Sequence, residues 1–493
     1  MPVGKQIKST SPEADNSKII NEQTYKPTTA DNANARPILG LNVYDFMSYS
    51  YHGTEGYIDG SFLVPHSREI FYDGRRELAF YKNYVKPVVR AMIDPVFNSE
   101  ISREVSQNGK AKPEGLMVHG FIDNCDNAGS NLHQFMDTVV TTGQLHGVVF
   151  VIVDNFPKEE HPANTKEAIE NRKFPYLYMK KASQVHKWKM DKFGNLEWIM
   201  FCEKDEIAKN TVTGVAEKQK RYLKIDKVNF YKMGKSAKGD GEVEIEARPH
   251  EIGRMPVISC YFTDRTDIET PLVHPPHYDI ARINHQIFNK DSEIRDQERA
   301  QGFSILYVQS DQPGDFNVGT HNLLNIPMDS KFPPGFASPD PNILKGLMEN
   351  GKELREDLLR IAGQRGIIGV TAAKSGVAMQ WDFRAEEAPL KSTSMKADWL
   401  EHEIIKIFQL YTPNEVFEYH AEYPDNFKPI NIDENIKVVD SALLMGMPRK
   451  AAAILKRMVF KSITKKQDED DVSAALAEFD EQTEPTPGNT DNE

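Results

Sequence analysis

The stretch Gly376–Tyr411, GVAMQWDFRAEEAPLKSTSMKADWLEHEIIKIFQLY, decides how this chain is read. It opens with apolar residues at every second position, the pattern of a short extended segment. It closes, from Met395 to Tyr411, as an amphipathic helix. A charged RAEEAP and a Ser/Thr-rich KSTS lie between, and nothing in the stretch suggests catalysis.

The surrounding 493 residues allow several domains and a substantial core. With 39% hydrophobic and 27% charged residues, the composition is that of a soluble protein with much solvated surface. No apolar run is long enough to span a membrane, and the N-terminal MPVGKQIKSTSPEADNSK has no apolar core of a secretory signal. Cys125, Cys202 and Cys260 lack any C-x-x-C spacing and are expected as buried thiols in a reducing compartment. The formal charge of −13 is concentrated in the tail from Asp468 to Glu493, which holds no Lys or Arg, so the body is near balance. No basic stripe of a duplex-gripping protein is present.

Residues 1–36 read as a polar, mobile arm. In SREIFYDGRRELAFYKNYVKPVVRAMIDPVF, the residues Leu78, Tyr81, Val85, Val88, Val89 and Met92 recur at helical spacing, with Pro87 expected to kink or divide the helix. SNLHQFMDTVVTTGQLHG predicts a helix capped by Ser130 and closed by Gly147, its stripe made of Leu132, Phe135, Met136, Val139 and Val140. VVFVIVD (148–154) predicts a strand covered on both faces. From Pro175 to Phe262 the pattern is of strands joined by turns such as DKFGN and GKSAKGDGE, so residues 37–270 read as one α+β domain.

The character then changes. Ile280, Ile283, Ile287 and Ile294 form a narrow seam on a helix over 277–300, about 36 Å long, suited to one neighbouring helix. The strand-like FSILYVQS and NLLNIP follow. A returning helix then carries Leu347, Leu354, Leu358 and Ile361 on one face. Two short helices split by MGMP and an acidic tail end the chain.

Motifs with chemical overtones fail on spacing. In IIGVTAAKSG, Ile368 and Ala373 occupy the positions where a phosphate-binding loop needs glycine. His402-Glu403 begins a zinc-protease pattern, but Lys406 stands where the second histidine belongs. His274-Pro275-Pro276-His277 has no further ligand beside it and reads as helix punctuation. Asp468–Asp471 lacks the glycine and ligand spacing of a calcium loop. No hydrolase or dinucleotide fingerprint occurs. The expectation is a protein that is not an enzyme, with no metal and no cofactor.

The element order resembles the portal proteins of tailed double-stranded-DNA bacteriophages over about residues 60–480. The resemblance is carried by SGVAM (Ser375–Met379) leading into the 395–411 helix, by ILKGLMENGKELREDLLRIAGQRG, and by IKVVDSALLMGMPRKAAAILKRM. It implies an α+β portal fold: an N-terminal arm (1–36), an α/β wing (37–270), a stem helix (271–300), a small β clip (301–341) and a returning stem helix (342–363). A tunnel-loop region (364–394), a long wing helix with its following segment (395–429), a helical crown (430–480) and an acidic tail (481–493) complete it. Pro389 departs from the uninterrupted wing helix of that pattern.

The resemblance further implies a homo-oligomeric ring of about twelve subunits at a capsid vertex of the virion, assembled in the host cytoplasm. Its implied partners are terminase, head-completion or adaptor proteins, major capsid and scaffold proteins, and double-stranded DNA passing through the channel, with no membrane. Lys374, Lys391 and Lys396 are candidates to touch DNA from the tunnel loop. Asp311, Asp315 and Phe316 are candidates to contact terminase or adaptor from the clip. Two alternatives stay open: another virion structural protein, minor capsid or scaffold-binding, and a metal-dependent hydrolase or nuclease.

Overall fold

The computed structural model describes residues 40–302, 305–307, 335–337, 341–362, 376–425 and 427, apart from 68, 70–71, 108–109, 112, 114, 161, 163, 205, 210–215 and 236–241. The chain divides into two compact units, Met1–Asp425 and Asn426–Glu493. The expected arm, the NLLNIP strand, the crown helices and the acidic tail lie outside the described residues.

Four helices come first: α1 (Val43–His52), α2 (Tyr72–Leu78), α3 (Val85–Ala91) and α4 (Asp94–Phe97). Strands β1 (Ser102–Gln107) and β2 (Lys110–Ala111) precede α5 (Met117–Asp123), α6 (Leu132–His146), β3 (Val148–Asp154) and α7 (Thr165–Glu170). The strand-rich run holds β4 (Tyr176–Lys181), β5 (Val185–Met190), β6 (Leu196–Cys202), β7 (Glu206–Lys209) and β8 (Ala216–Gln219). It ends with β9 (Arg221–Asp226), β10 (Asn229–Lys235), β11 (Glu242–Pro249) and β12 (Val257–Tyr261). Then come α8 (Tyr278–Gly302), β13 (Ile305–Tyr307), β14 (Gly335–Ala337), α9 (Pro341–Ile361), α10 (Gly376–Tyr411) and β15 (Glu418–Glu422).

All described strand pairs are antiparallel, in sheets ordered β11-β10-β9-β6-β5, β12-β3-β4, β15-β1-β2, β13-β14 and β7-β8. The protein is therefore α+β, with helices and antiparallel sheets in separate layers.

β3 is the keel of this arrangement. All seven of its residues are buried, as a run without alternation requires. Val148, Phe150 and Ile152 join Ile199, Phe201, Ile225 and Phe230 of the five-stranded sheet in one apolar cluster. The β12-β3-β4 sheet is packed against α6 and α10. Each side chain so buried contributes about 1.5–3 kcal/mol.

The stripe Leu132, Phe135, Met136, Val139 and Val140 of α6 is buried as expected. Its cap differs: Asn131 accepts from the Gln134 amide at 2.9 Å and the Gln134 side chain answers, so Asn131 rather than Ser130 begins the helix. Asn at that position completes the reciprocal box that Gln three residues on makes available. Gly147 closes α6 with φ of 82°, and a Cβ there would stand 2.9 Å from the His274 carbonyl. Only glycine fits this turn into β3.

Three expectations are corrected. The helix across Leu78–Met92 is broken between α2 and α3, over residues 79–84, while Pro87 falls in the first turn of α3 where a missing N–H costs nothing. Cys125 and Cys260 are buried but Cys202, at the end of β6, is only half-buried.

The third correction concerns the opening stretch, which is one 36-residue helix from Gly376 to Tyr411 with Pro389 inside it. Three alternating apolar residues are too few to exclude a helix, because Val377 and Trp381, like Met379 and Phe383, are also four apart. The following Arg, Ala, Glu and Leu are strong helix formers. Pro389 removes one backbone donor, and Thr393 Oγ1 donates to its carbonyl at 2.9 Å.

Candidate functional surface

The feature that stands out from the sheets is the pair α8 and α9, linked through the β13–β14 ribbon. The first half of α8 is sunk in the body, not held along a narrow seam as the isoleucine spacing suggests. Ile280, Ala281, Asn284, Ile287 and Phe288 are all buried. Asn284 organises the crossing of the α2–α3 connection: its Oδ1 accepts from the Tyr84 amide at 2.8 Å and the Tyr81 hydroxyl at 3.1 Å, and its Nδ2 donates to the Lys82 carbonyl at 2.9 Å. Tyr57 stacks on Tyr81 at 3.9 Å with Phe62 and Phe288 edge-on around it. Burial pushes the Tyr57 phenol well above its ordinary range. Arg75 ties α2 to the same helix, donating to Glu69 at 2.6 and 2.8 Å, to Ser292 at 2.8 Å and to the Val64 carbonyl at 2.8 Å.

The second half of α8 meets α9 in antiparallel fashion. Asp291 bridges both attachments, taking Lys82 at 2.9 Å and Arg355 at 3.0 Å. Gly351 and Leu358 of α9 are buried, as is Ala362 just after it. Of the expected face, Leu358 is buried and Leu347 and Leu354 are half-buried. Ile361, expected inside, is 52% exposed, and Ile343 and Met348 are also open to solvent. A cavity of about 530 Å3 runs between the two helices, rimmed by Glu298, Glu349 and Lys352.

α10 returns the chain to the body. Ala397, Leu400, Ile404, Ile405, Ile407 and Phe408 are buried, and so is Glu401 at 0% exposure. Arg103 of β1 meets Glu401 in a bidentate pair, Nε to Oε1 and Nη2 to Oε2, each 2.8 Å. The hydroxyls of Tyr419 and Tyr423 donate to the same carboxylate at 2.5 and 2.6 Å. Burial and the Glu401 carboxylate push both phenols far above their ordinary range. β15, which carries Tyr419, pairs with β1, so this cluster fastens a late strand and the long helix to an early strand. The opposite face of α10 exposes Met395, Trp399 and Leu410.

Of the sequence-chosen residues, Lys374, Asp311, Asp315 and Phe316 lie outside the described residues. Lys391 pairs with Glu387 one turn earlier at 3.1 Å. Lys396 places its ammonium 5.7 Å from the centre of the Phe262 ring. The two lie on the same helix but on different faces, five residues apart.

No protein-family profile and no curated protein matches this chain. Two solved structures are similar to it over 85% of its length and 98% of theirs, each with a TM-score of 0.40. One, 11% identical, is from the neck of an empty GTA particle computed with C6 symmetry. The other, 10% identical, is from the virion of a native gene transfer agent particle.

The residues with chemical overtones are occupied locally. His402 Nδ1 bonds the Asp398 carbonyl at 2.9 Å, and Glu403 takes Arg254 at 3.2 Å and Lys406 at 2.7 Å. His277 is buried and held by burial at about 4, whereas His274 is exposed against the edge of Tyr278. Among the described residues no group of three or more His, Cys, Asp or Glu could hold a metal ion, and no helix is long and apolar enough to cross a membrane.

Sequence reasoning passed over the Arg103–Glu401 cluster. One signal for it was present: Glu401 falls four residues after Ala397 and four before Ile405, on the apolar stripe, where an unpaired carboxylate is not tolerated.

Proposed function

We propose that this chain is the subunit of a phage-type portal ring, a virion component that conducts DNA and performs no catalysis. The observation that carries the reading is the element order: an α+β body, α8 leading out, a short β ribbon, α9 packed back along α8, and a 36-residue α10 re-entering the body. In this reading α8 and α9 are the stem, the β13–β14 segment is the clip, and α10 is the wing helix. A helical crown over 430–480 completes this assignment.

The charge balance suits DNA that must slide. Each lasting phosphate contact adds affinity and salt dependence, and a body near neutrality avoids a trap. Lys374 and Lys391 would offer passing contacts at the tunnel. Asp311, Asp315 and Phe316 would face terminase or the adaptor, and deletion of 311–320 should abolish terminase binding while leaving the ring intact.

The deciding experiment is negative-stain electron microscopy of the purified chain with its solution mass, alongside incubation with DNA and Mg2+. Rings of about twelve subunits with a central hole support the portal reading. A monomer that cleaves DNA only with metal overturns it.

A further inference from the structure

A second cavity, of about 360 Å3, opens among α1, α3, α6 and β4, away from the α8–α9 pair. Its volume lies in the range of small-molecule sites, roughly 300–1,000 Å3. Its apolar lining is the buried Leu145 and the half-buried Met179, and the ring of the buried Tyr51 adds to it with its hydroxyl hydrogen-bonded to Arg90.

Three basic residues line it: Lys86, Arg90 and Lys181. Arg90 is already spent. Its Nη1 reaches both oxygens of Asp137 at 3.0 and 3.2 Å, and its Nη2 lies 2.5 Å from Asp94. Asp137 is the one carboxylate in the lining and is consumed by that contact. Among the described residues, neither Lys86 nor Lys181 has a carboxylate within 4.0 Å. Asp45 feels the Lys181 charge and is hydrogen-bonded to Ser183.

His52 stands within the field of both ammonium groups. Burial, then Lys181 and Lys86, hold its imidazole below the ordinary value, so it is neutral near pH 7 and can donate one hydrogen bond. Thr141 Oγ1 accepts from Arg90 at 3.2 Å, which leaves its own hydrogen free to donate. Two ammonium groups with no carboxylate within 4.0 Å, a neutral imidazole and a hydroxyl with its hydrogen free, lining one cavity with Leu145 and Met179, make a receptor for an anionic head on an organic body.

We propose that this cavity binds a phosphomonoester of about mononucleotide size. Its phosphate lies between Lys86 and Lys181, and its body lies against Tyr51, Leu145 and Met179. Phosphate is favoured because its several acceptor oxygens can take both lysines and the neutral donors at once. The cavity is also much larger than a free inorganic phosphate.

Calorimetric titration of the full chain with adenosine 5′-monophosphate, inorganic phosphate and adenosine tests this. The expected result is saturable binding of the monophosphate, weaker binding of inorganic phosphate at the same site, and none of adenosine. Lys86→Gln and Lys181→Gln should each weaken the monophosphate by about tenfold, Lys86→Arg and Lys181→Arg should retain it, and Lys166→Gln, at an exposed pair with Glu170, should leave it unchanged. Absence of saturable binding, adenosine binding as tightly as its phosphate, or inorganic phosphate matching the monophosphate overturns the proposal. So does a monophosphate affinity indifferent to the glutamine variants.

Discussion

Glu401 shows how much one buried side chain can be asked to hold. Its carboxylate has no solvent exposure, yet it accepts four hydrogen bonds, two from Arg103 and one each from Tyr419 and Tyr423. A buried ion pair adds little over an apolar substitute, but breaking one leaves the partner charged and unpaired. Glu401→Gln keeps the shape and removes the charge. The expected outcome is a loss of about 3 kcal/mol in urea denaturation, with the Arg103 side chain, 11% exposed, left without its counter-charge. An unchanged midpoint would show that the Glu401 charge contributes nothing to stability. The helical stripe in the sequence identified the position as buried. It did not identify the partners, which come from residues about 300 positions earlier and 20 later in the chain.

At the scale of elements, α6 and α10 invite opposite substitutions. Gly143 lies inside α6, where alanine would ordinarily gain about 1 kcal/mol of helix propensity. Here a Cβ would stand 2.1 Å from the Phe262 ring, so packing wins over propensity. Gly143→Ala should destabilise by about 1–3 kcal/mol, and Phe262→Leu in the same chain should recover part of the loss in thermal melts. Pro389 is exposed and interrupts the hydrogen-bond ladder of α10. Pro389→Ala restores one donor and should raise the melting temperature, since proline in a helix interior costs about 3 kcal/mol relative to alanine. A fall in melting temperature would mean that the bend itself is required for the packing of 387–411. Both elements were legible as helices from Met395 onward and from Leu132 onward. The start of α10 was not, because a two-residue and a four-residue repeat coincide over so short a run.

The whole molecule carries a pH dependence through two histidines on separate elements. Burial holds His146 at about 3 and His277 at about 4, below the ordinary 6.5 of an exposed imidazole. The unfolded chain therefore binds more protons than the folded one between those values and 6.5. Stability is fully present above about pH 6.5 and falls as the pH drops below it. Between pH 7.5 and 5.5 the loss should be about 1.4 kcal/mol per histidine. Chemical denaturation at the two pH values should show it, and His277→Gln should remove its share of the slope. A flat profile in the unaltered chain would refute the assignment.

Local chemistry on the sequence was enough to determine the α+β class, the helices over α6, α8 and α9, and the fully covered strand β3. These depend on the spacing of apolar residues, on glycine and on caps, all of which act within a few residues. Only the tertiary structure decided that β15 closes onto β1, that the first half of α8 is buried among aromatics, and that Lys86 and Lys181 share a cavity with Arg90 already paired. Those facts rest on which faces meet across hundreds of residues. A burial pattern states that a face must be covered, and the covering partner is chosen by the shape and charge of the assembled chain.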